Sequence, residues 1–192
     1  MTGGRRFSQA ISEGDGISLI VEVRAPEDAR RVEGDGAEAV LVSSGGEGQL
    51  VTIRAATSLT ILFLWDGEHA DALEGADACI VEAGDHEWLE RVHLELGDRF
   101  ELALRIRDED HLEAALENFD PELFVLAAPD EDRPLEHVLE LLPDVPAGKL
   151  AIAELPISAR EEVAELERAG VDAVIVGGAN VAELAGDAPP SL

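Results

Sequence analysis

Cysteine, lysine and long apolar runs are all scarce in this chain, and each shortage closes off a class of protein. Cys79 is the only cysteine, so no disulfide can form within the chain, and its place inside an apolar stretch reads as a small core side chain in a reducing compartment. Positive charge is scarce too. Forty-two Asp and Glu stand against 14 Lys and Arg, a formal charge of −28, and Lys149 is the only lysine. Such a field repels nucleic acid and anionic membranes over most of the surface, so neither is an expected partner. The acids are dispersed along the chain and read as a solvated, self-repelling surface. The N-terminal residues Met1 to Phe7 hold no apolar run long enough for a signal peptide or a membrane span, and a soluble cytoplasmic protein is expected.

The 192 residues are 46% hydrophobic, enough for one sizeable core and too few for two comfortable α/β domains. One domain is expected over residues 1–192, with an N-terminal helical segment at 1–16 and a tail at 186–192. Three stretches share one plan of glycine, small residue, acid, alanine and three β-formers: Gly36-Ala-Glu-Ala-Val-Leu-Val42, Gly75-Ala-Asp-Ala-Cys-Ile-Val81 and Gly170-Val-Asp-Ala-Val-Ile-Val176. Three copies of a unit imply a repeated architecture.

Apolar alternation and cap signals extend that unit along the chain. A helix is expected around Phe7, Ala10 and Ile11, covering core left bare elsewhere. Strands follow over 17–24, 36–42, 59–65, 75–81, 100–107, 121–127, 150–155 and 171–176. Helices fall between them, with a short one over 70–74, Asp85 and Asp108 as N-caps, Ser158-Ala-Arg-Glu161 at capping-box spacing and Gly170 as a C-cap. Strands separated by single helices pair in parallel, and eight such units close most naturally into a compact (β/α)₈ barrel with short loops and a truncated last helix.

Period-two alternation puts Glu22, Arg24, Glu101, Arg105, Arg107 and Glu154 on inward faces of the strands. Two readings stay open for them: a charged pocket holding an anion between Arg24, Arg105 and Gly177, or a mutually neutralising network that specifies packing. Gly177-Gly178 opens a helix and is either a phosphate turn or simply a tight turn. Trp65 either stacks on a ligand or fills the barrel mouth. Asp66, His69, Glu82, Asp85, Asp130 and Asp132 fall in turns after strands, where they read as helix caps ahead of ligands for a hard cation. No metal and no cofactor is expected.

The order of these motifs, from about Phe7 to Glu183, resembles the indole-3-glycerol-phosphate synthase family. Leu19-Ile-Val-Glu-Val-Arg24 resembles its first strand. Gly36 to Ser43, with the Gly45-Gly46 turn and Leu50, resembles its second unit. Leu102 to Asp108 with His111 to Leu116 resembles the fifth, Ile152-Ala-Glu154 with Ile157 the seventh, and Gly170 to Asn180 the eighth strand with its phosphate turn. The resemblance implies a barrel acting on a phosphorylated metabolite at its C-terminal face, as a carbon–carbon lyase if it is an enzyme. It leaves Glu22, Glu154 and Gly177 as matching site positions, with Glu22 or Glu154 for any proton transfer; the ligand candidates read from the chain itself are Arg24, Arg105, Gly177, Gly178 and Trp65.

The departures fall on the chemistry. The lysine that serves the family as general acid meets Leu64 or Trp65, and the glutamate that serves as general base meets Arg105. Ala127-Ala-Pro129 and Leu155-Pro156 replace two further signatures, and the first loop is too short to form a lid. The family's proton transfers therefore lack their carriers. A barrel that binds a small anionic metabolite is expected, with a catalytically inactive structural or interaction barrel as the alternative, as a monomer or weak homodimer.

Overall fold

The computed structural model describes residues 6–14, 16–43, 47–68, 70–118, 121–128 and 132–185. After helix α1 (Phe7–Ser12) come β1 (Ser18–Glu22), α2 (Pro26–Gly34), β2 (Ala39–Val42), α3 (Glu47–Arg54), β3 (Thr60–Leu64), β4 (Ala78–Glu82), α4 (His86–Leu96) and β5 (Glu101–Ile106). The second half runs α5 (Glu109–Asn118), β6 (Leu123–Ala127), α6 (Pro134–Leu141), β7 (Leu150–Glu154), α7 (Arg160–Ala169), β8 (Ala173–Val176) and α8 (Val181–Ala185). The eight strands pair in parallel in chain order and β8 returns to β1, a closed (β/α)₈ barrel.

Alternation along each strand separates two apolar shells. Outward residues such as Val21, Val40, Phe63, Leu104, Phe124 and Val174 pack against the helices, while Ile20, Leu41, Leu62, Ile80, Val125 and Ile152 fill the barrel itself. Phe7 and Ile11 of α1 belong to the inner shell. That short helix has no capping side chain of its own. Glu101 at the start of β5 serves instead, accepting from the Ser8 N–H at 3.3 Å and lying 3.8 Å from Arg6.

Each position of the threefold repeat has a structural cause. Its glycines, Gly36, Gly75 and Gly170, have φ of +99°, +104° and +98°, a region closed to most side chains. The chain thereby turns sharply into the next strand, and the following N–H folds back onto Val32, Leu73 and Leu166 carbonyls respectively. The acid then reaches sideways. Glu38, Asp77 and Asp172 each accept, at 2.8 Å, the N–H at the start of the preceding strand: Leu19 of β1, Ile61 of β3 and Ala151 of β7. The alanines, Ala39, Ala78 and Ala173, are small inner-shell residues, grouped with Phe7 and Ile11. The repeat thus stitches the N-terminal end of the barrel and leaves space for the α1 plug.

Local differences from the sequence reading have plain origins. The β3–β4 crossover is a single 3₁₀ turn, Ala70–Leu73, because only 13 residues, 65–77, separate the two strands. At α7 the cap is shifted by one residue: Glu162, not Glu161, accepts from the Ser158 and Ala159 N–H groups and the Ser158 hydroxyl. Asp85 and Asp108 cap as expected, accepting from the Trp88 and His111 N–H groups at 2.9 Å. The expected turn at Gly45-Gly46, the tail at 186–192 and Pro129 lie outside the described residues. Among the described residues no helix is long and apolar enough to cross a membrane.

Candidate functional site at the C-terminal mouth

Three strands, β1, β4 and β7, end on a glutamate that alternation turns inward, β5 carries Arg105 one residue before its end, and the register brings three of these four side chains together. Arg105 of β5 stands opposite Glu82 of β4, and Glu154 of β7 stands opposite Ala127 of β6. Ala127 is too small to bar the way between β5 and β7. Arg105 crosses that gap and grips Glu154 with two hydrogen bonds, from Nε and Nη2, both 2.6 Å. Its Nη1 donates to Glu82 Oε1 at 2.5 Å. Arg107, one residue past the end of β5, donates to the same carboxylate from Nη2 at 3.0 Å and Nε at 3.3 Å.

Burial and charge act in opposite directions here. Burial alone would lift the Glu82 carboxyl, but hydrogen bonds and charge from Arg107 and Arg105 outweigh it and hold the group below the usual carboxylate range. Burial alone would lower the Arg105 guanidinium. Glu154 first and Glu82 second reverse that and hold it above its ordinary value. Charge-assisted and bidentate pairs of this kind are the strong class of hydrogen bond. The side chains differ in access: Arg105 is 10% exposed, Glu154 21% and Glu82 47%.

The other expected site residues are less concentrated. Glu22, at the end of β1, accepts from the Ser43 hydroxyl at 3.3 Å and from Arg24 at 3.4 Å. Arg24 itself lies beyond the last paired residue of β1 and is 86% exposed, so it is turned to solvent instead of into the barrel. Glu101 shares a face with Arg105 but sits at the opposite end of β5, where it caps α1. Gly177 is exposed with open space around it. Gly178 lies in close quarters: a Cβ there would lie 3.4 Å from the Glu22 carbonyl and 3.3 Å from Arg31 Nη2, and its own carbonyl accepts from Arg31 Nη1 at 2.8 Å. Behind this turn α8 is described over the five residues Val181–Ala185.

Trp65 neither stacks at the mouth nor fills it. It belongs to the outer shell, buried against the helices, with its indole N–H donating to the Glu68 carbonyl at 2.6 Å. Leu64, one residue earlier, is the inward neighbour. The tryptophan that does shape the mouth is Trp88 of α4. Its ring covers Gly67 and Gly84, where an added Cβ would approach it to 2.0 and 2.5 Å, and its N–H donates to the Glu82 carbonyl at 3.1 Å. Arg91 lies 4.8 Å over the same ring. The helical spacing of Trp88 with Leu89, Val92 and Leu96 points to packing, and the glycines in the two turns beneath it were the available signal for its second role.

Glu82 was the other hidden member. Read as a turn acid, it is instead the last residue of β4, one place beyond the repeat. Asp66 closes its own turn by accepting from the Glu68 N–H, and Asp85 caps α4. His69 and Asp130 lie outside the described residues. Among the described residues no group of three or more His, Cys, Asp and Glu side chains could hold a metal ion. Chemically the mouth offers guanidiniums, which do not give up protons, and carboxylates. Both Glu154 oxygens are engaged by Arg105, so in this geometry Glu154 is a counter-ion.

The fold and site together define a compact (β/α)₈ barrel whose C-terminal mouth is lined with ion pairs. No protein family and no curated protein matches the chain. Among solved structures it is similar to thiamine phosphate pyrophosphorylase from Pyrococcus furiosus, with a TM-score of 0.66 and 14% identity over 88% of this chain and 90% of that one. At that identity the likeness shows the barrel alone. It supports the fold expected from sequence and does not extend to the indole-3-glycerol-phosphate synthase family.

Proposed function

We propose that this barrel binds a small phosphorylated or carboxylated metabolite at its C-terminal mouth and does not carry out the indole-3-glycerol-phosphate synthase reaction. The observation that carries this reading is the uneven distribution of charge inside the barrel. The N-terminal end is closed by Phe7 and Ile11, the middle is apolar, and Glu22, Glu82, Arg105 and Glu154 gather at the strand ends where barrel enzymes place their sites. Apolar residues in these places would serve stability equally well or better. The similar pyrophosphorylase is, by its name, an enzyme of a phosphorylated compound. Against the lyase reaction stand Leu64 and Arg105, neither able to move a proton at the positions that the resemblance assigns to acid and base.

One observation favours a second reading, a non-catalytic structural barrel: Arg105 is already satisfied by Glu154 and Glu82. Thermal unfolding with and without phosphate and indole-3-glycerol phosphate separates the two, because a ligand of the folded state raises the melting temperature with its occupancy. A rise in wild type that Arg105→Ala abolishes supports the binding site. No rise with either anion, and a mutant that merely melts earlier, supports the structural barrel. We further place the chain in the cytoplasm as a monomer or weak homodimer. A chromatographic size that grows with concentration would identify the dimer.

A further inference from the structure

The two carboxylates on Arg105 are held differently. Glu154 takes two parallel hydrogen bonds of 2.6 Å from one guanidinium and is 21% exposed, whereas Glu82 is divided between one bond from Arg105 and two longer ones, of 3.0 and 3.3 Å, from Arg107 and is 47% exposed. Glu154 is therefore the fixed partner that aims the guanidinium, and Glu82 is the partner that solvent can reach. The donors facing Glu82 are Nη1 of Arg105 with Nη2 and Nε of Arg107. Together they form a two-guanidinium fork already occupied by a carboxylate of the chain itself.

We propose that Glu82 is a built-in stand-in for the ligand, and that the metabolite binds by exchange: an anion with two adjacent oxygens, a carboxylate or a phosphate monoester, takes the donors of Arg105 and Arg107 while the Glu82 side chain swings out to solvent. This rests on the binding reading above and specifies it. The shared chemistry is an oxyanion that accepts from two guanidiniums at once. Arg105 stays neutralised by Glu154 throughout, so the charge that attracts the ligand is that of Arg107. The backbone of Glu82 stays in place during the exchange, since its carbonyl is held by the Trp88 indole. Only the side-chain torsions need to change.

Calorimetric titration of acetate and of inorganic phosphate at fixed ionic strength tests the exchange, using wild type, Glu82→Gln, Glu154→Gln, Glu82→Gln/Arg107→Ala and, as a control for lost negative charge, Glu117→Ala on α5. Glu82→Gln keeps the shape and removes the charge. It is expected to bind at least one anion about tenfold tighter than wild type, the scale of one lost charge-assisted competitor. The gain should vanish in the double variant, be smaller in Glu154→Gln, which frees charge on Arg105 but leaves Glu82 in the fork, and be absent from Glu117→Ala. The anion that gains more names the ligand class. An equal gain in Glu154→Gln or Glu117→Ala overturns the exchange. So does an unchanged Glu82→Gln: if wild type still binds and Arg105→Ala does not, the mouth site stands without exchange, and if neither wild type nor Glu82→Gln binds, the binding reading falls with it.

Discussion

The two ends of this barrel use acidic side chains in opposite ways. At the N-terminal end Glu38, Asp77 and Asp172 accept backbone N–H groups of neighbouring strands, Asp77 while also pairing with an Arg54 that is itself tied to the Thr57 carbonyl, and Glu101 caps the helix that plugs the barrel. At the C-terminal end Glu82 and Glu154 face arginines. A carboxylate on a backbone amide can do little but hold the chain in place. A carboxylate held by arginines alone, as Glu82 and Glu154 are, can be exchanged for another anion. The difference matches the division of labour in such barrels, with stability at one end and ligand chemistry at the other.

Breaking the N-terminal end should have the largest effect on stability. Phe7 is wholly buried within the inner shell, and Phe7→Ala should cost about 4 kcal/mol, read by denaturant unfolding, while leaving anion binding at the mouth intact in the folded fraction. Breaking the mouth comes next. Arg105→Ala strips the charge partner from Glu154 and Glu82 and should cost about 2 kcal/mol, less than for a fully buried pair because Glu82 is half exposed. Arg105→Met combined with Glu154→Leu should recover most of that loss. A double variant as unstable as Arg105→Ala would mean that the network itself stabilises the barrel.

The comparison predicts opposite responses to pH. Glu82 is held below the carboxylate value of 4.5, so in the window beneath 4.5 the unfolded chain binds more protons and stability rises with pH. Its contribution is present above 4.5 and is lost as pH falls through the folded value. Burial lifts Glu38 above 4.5 and Asp172 above 3.8, only partly offset by the amides they accept from. For these the folded chain binds more protons in the window above those values, and stability falls as pH rises through it. Glu82→Gln should therefore flatten the acid limb of the stability curve. Glu38→Gln should remove a decline on the other side of 4.5, measured by urea midpoints across that range. Cys79, with its thiol pushed by burial up to about 12, should stay unreactive toward thiol reagents until the barrel unfolds.

The smallest expected effect is at Thr60, at the start of β3, whose hydroxyl is buried without a hydrogen-bond partner. Thr60→Val keeps the shape and removes an unsatisfied polar atom. It should raise stability by up to about 1 kcal/mol in the same unfolding assay, sharpening the role of this end as a purely structural one.

The barrel was legible because its signals are local and repeated. Gly36, Gly75 and Gly170 mark strand entries, and Phe100 to Arg107 alternates cleanly enough to put Arg105 inside. What escaped depends on where strands stop and on contacts between distant residues. Arg24 continues the alternation of its strand, but pairing ends at Glu22, and past that point parity no longer fixes direction; Arg107 also lies past the last paired residue, yet it still turns to Glu82 at the mouth. Glu82 sits one residue beyond the repeat, so a pattern ending at Val81 assigns it to a turn. Trp65 follows an inward Leu64 and is outward by the same alternation, a signal present in the sequence. The link from β5 across Ala127 to β7 follows from the stagger of the closed barrel, which no linear pattern displays.

If anions are received at one end of the barrel and not the other, the side-chain Nε–Hε resonances of the arginines report it directly. Arg105 and Arg107 mark the mouth, while Arg54, paired with Asp77 at 2.7 Å and bonded to the Thr57 carbonyl, marks the N-terminal end. Titration with phosphate or acetate should shift the Arg105 and Arg107 signals together and saturably, with Arg54 unmoved. Signals that stay fixed at the mouth, or that drift equally at both ends, would contradict the account.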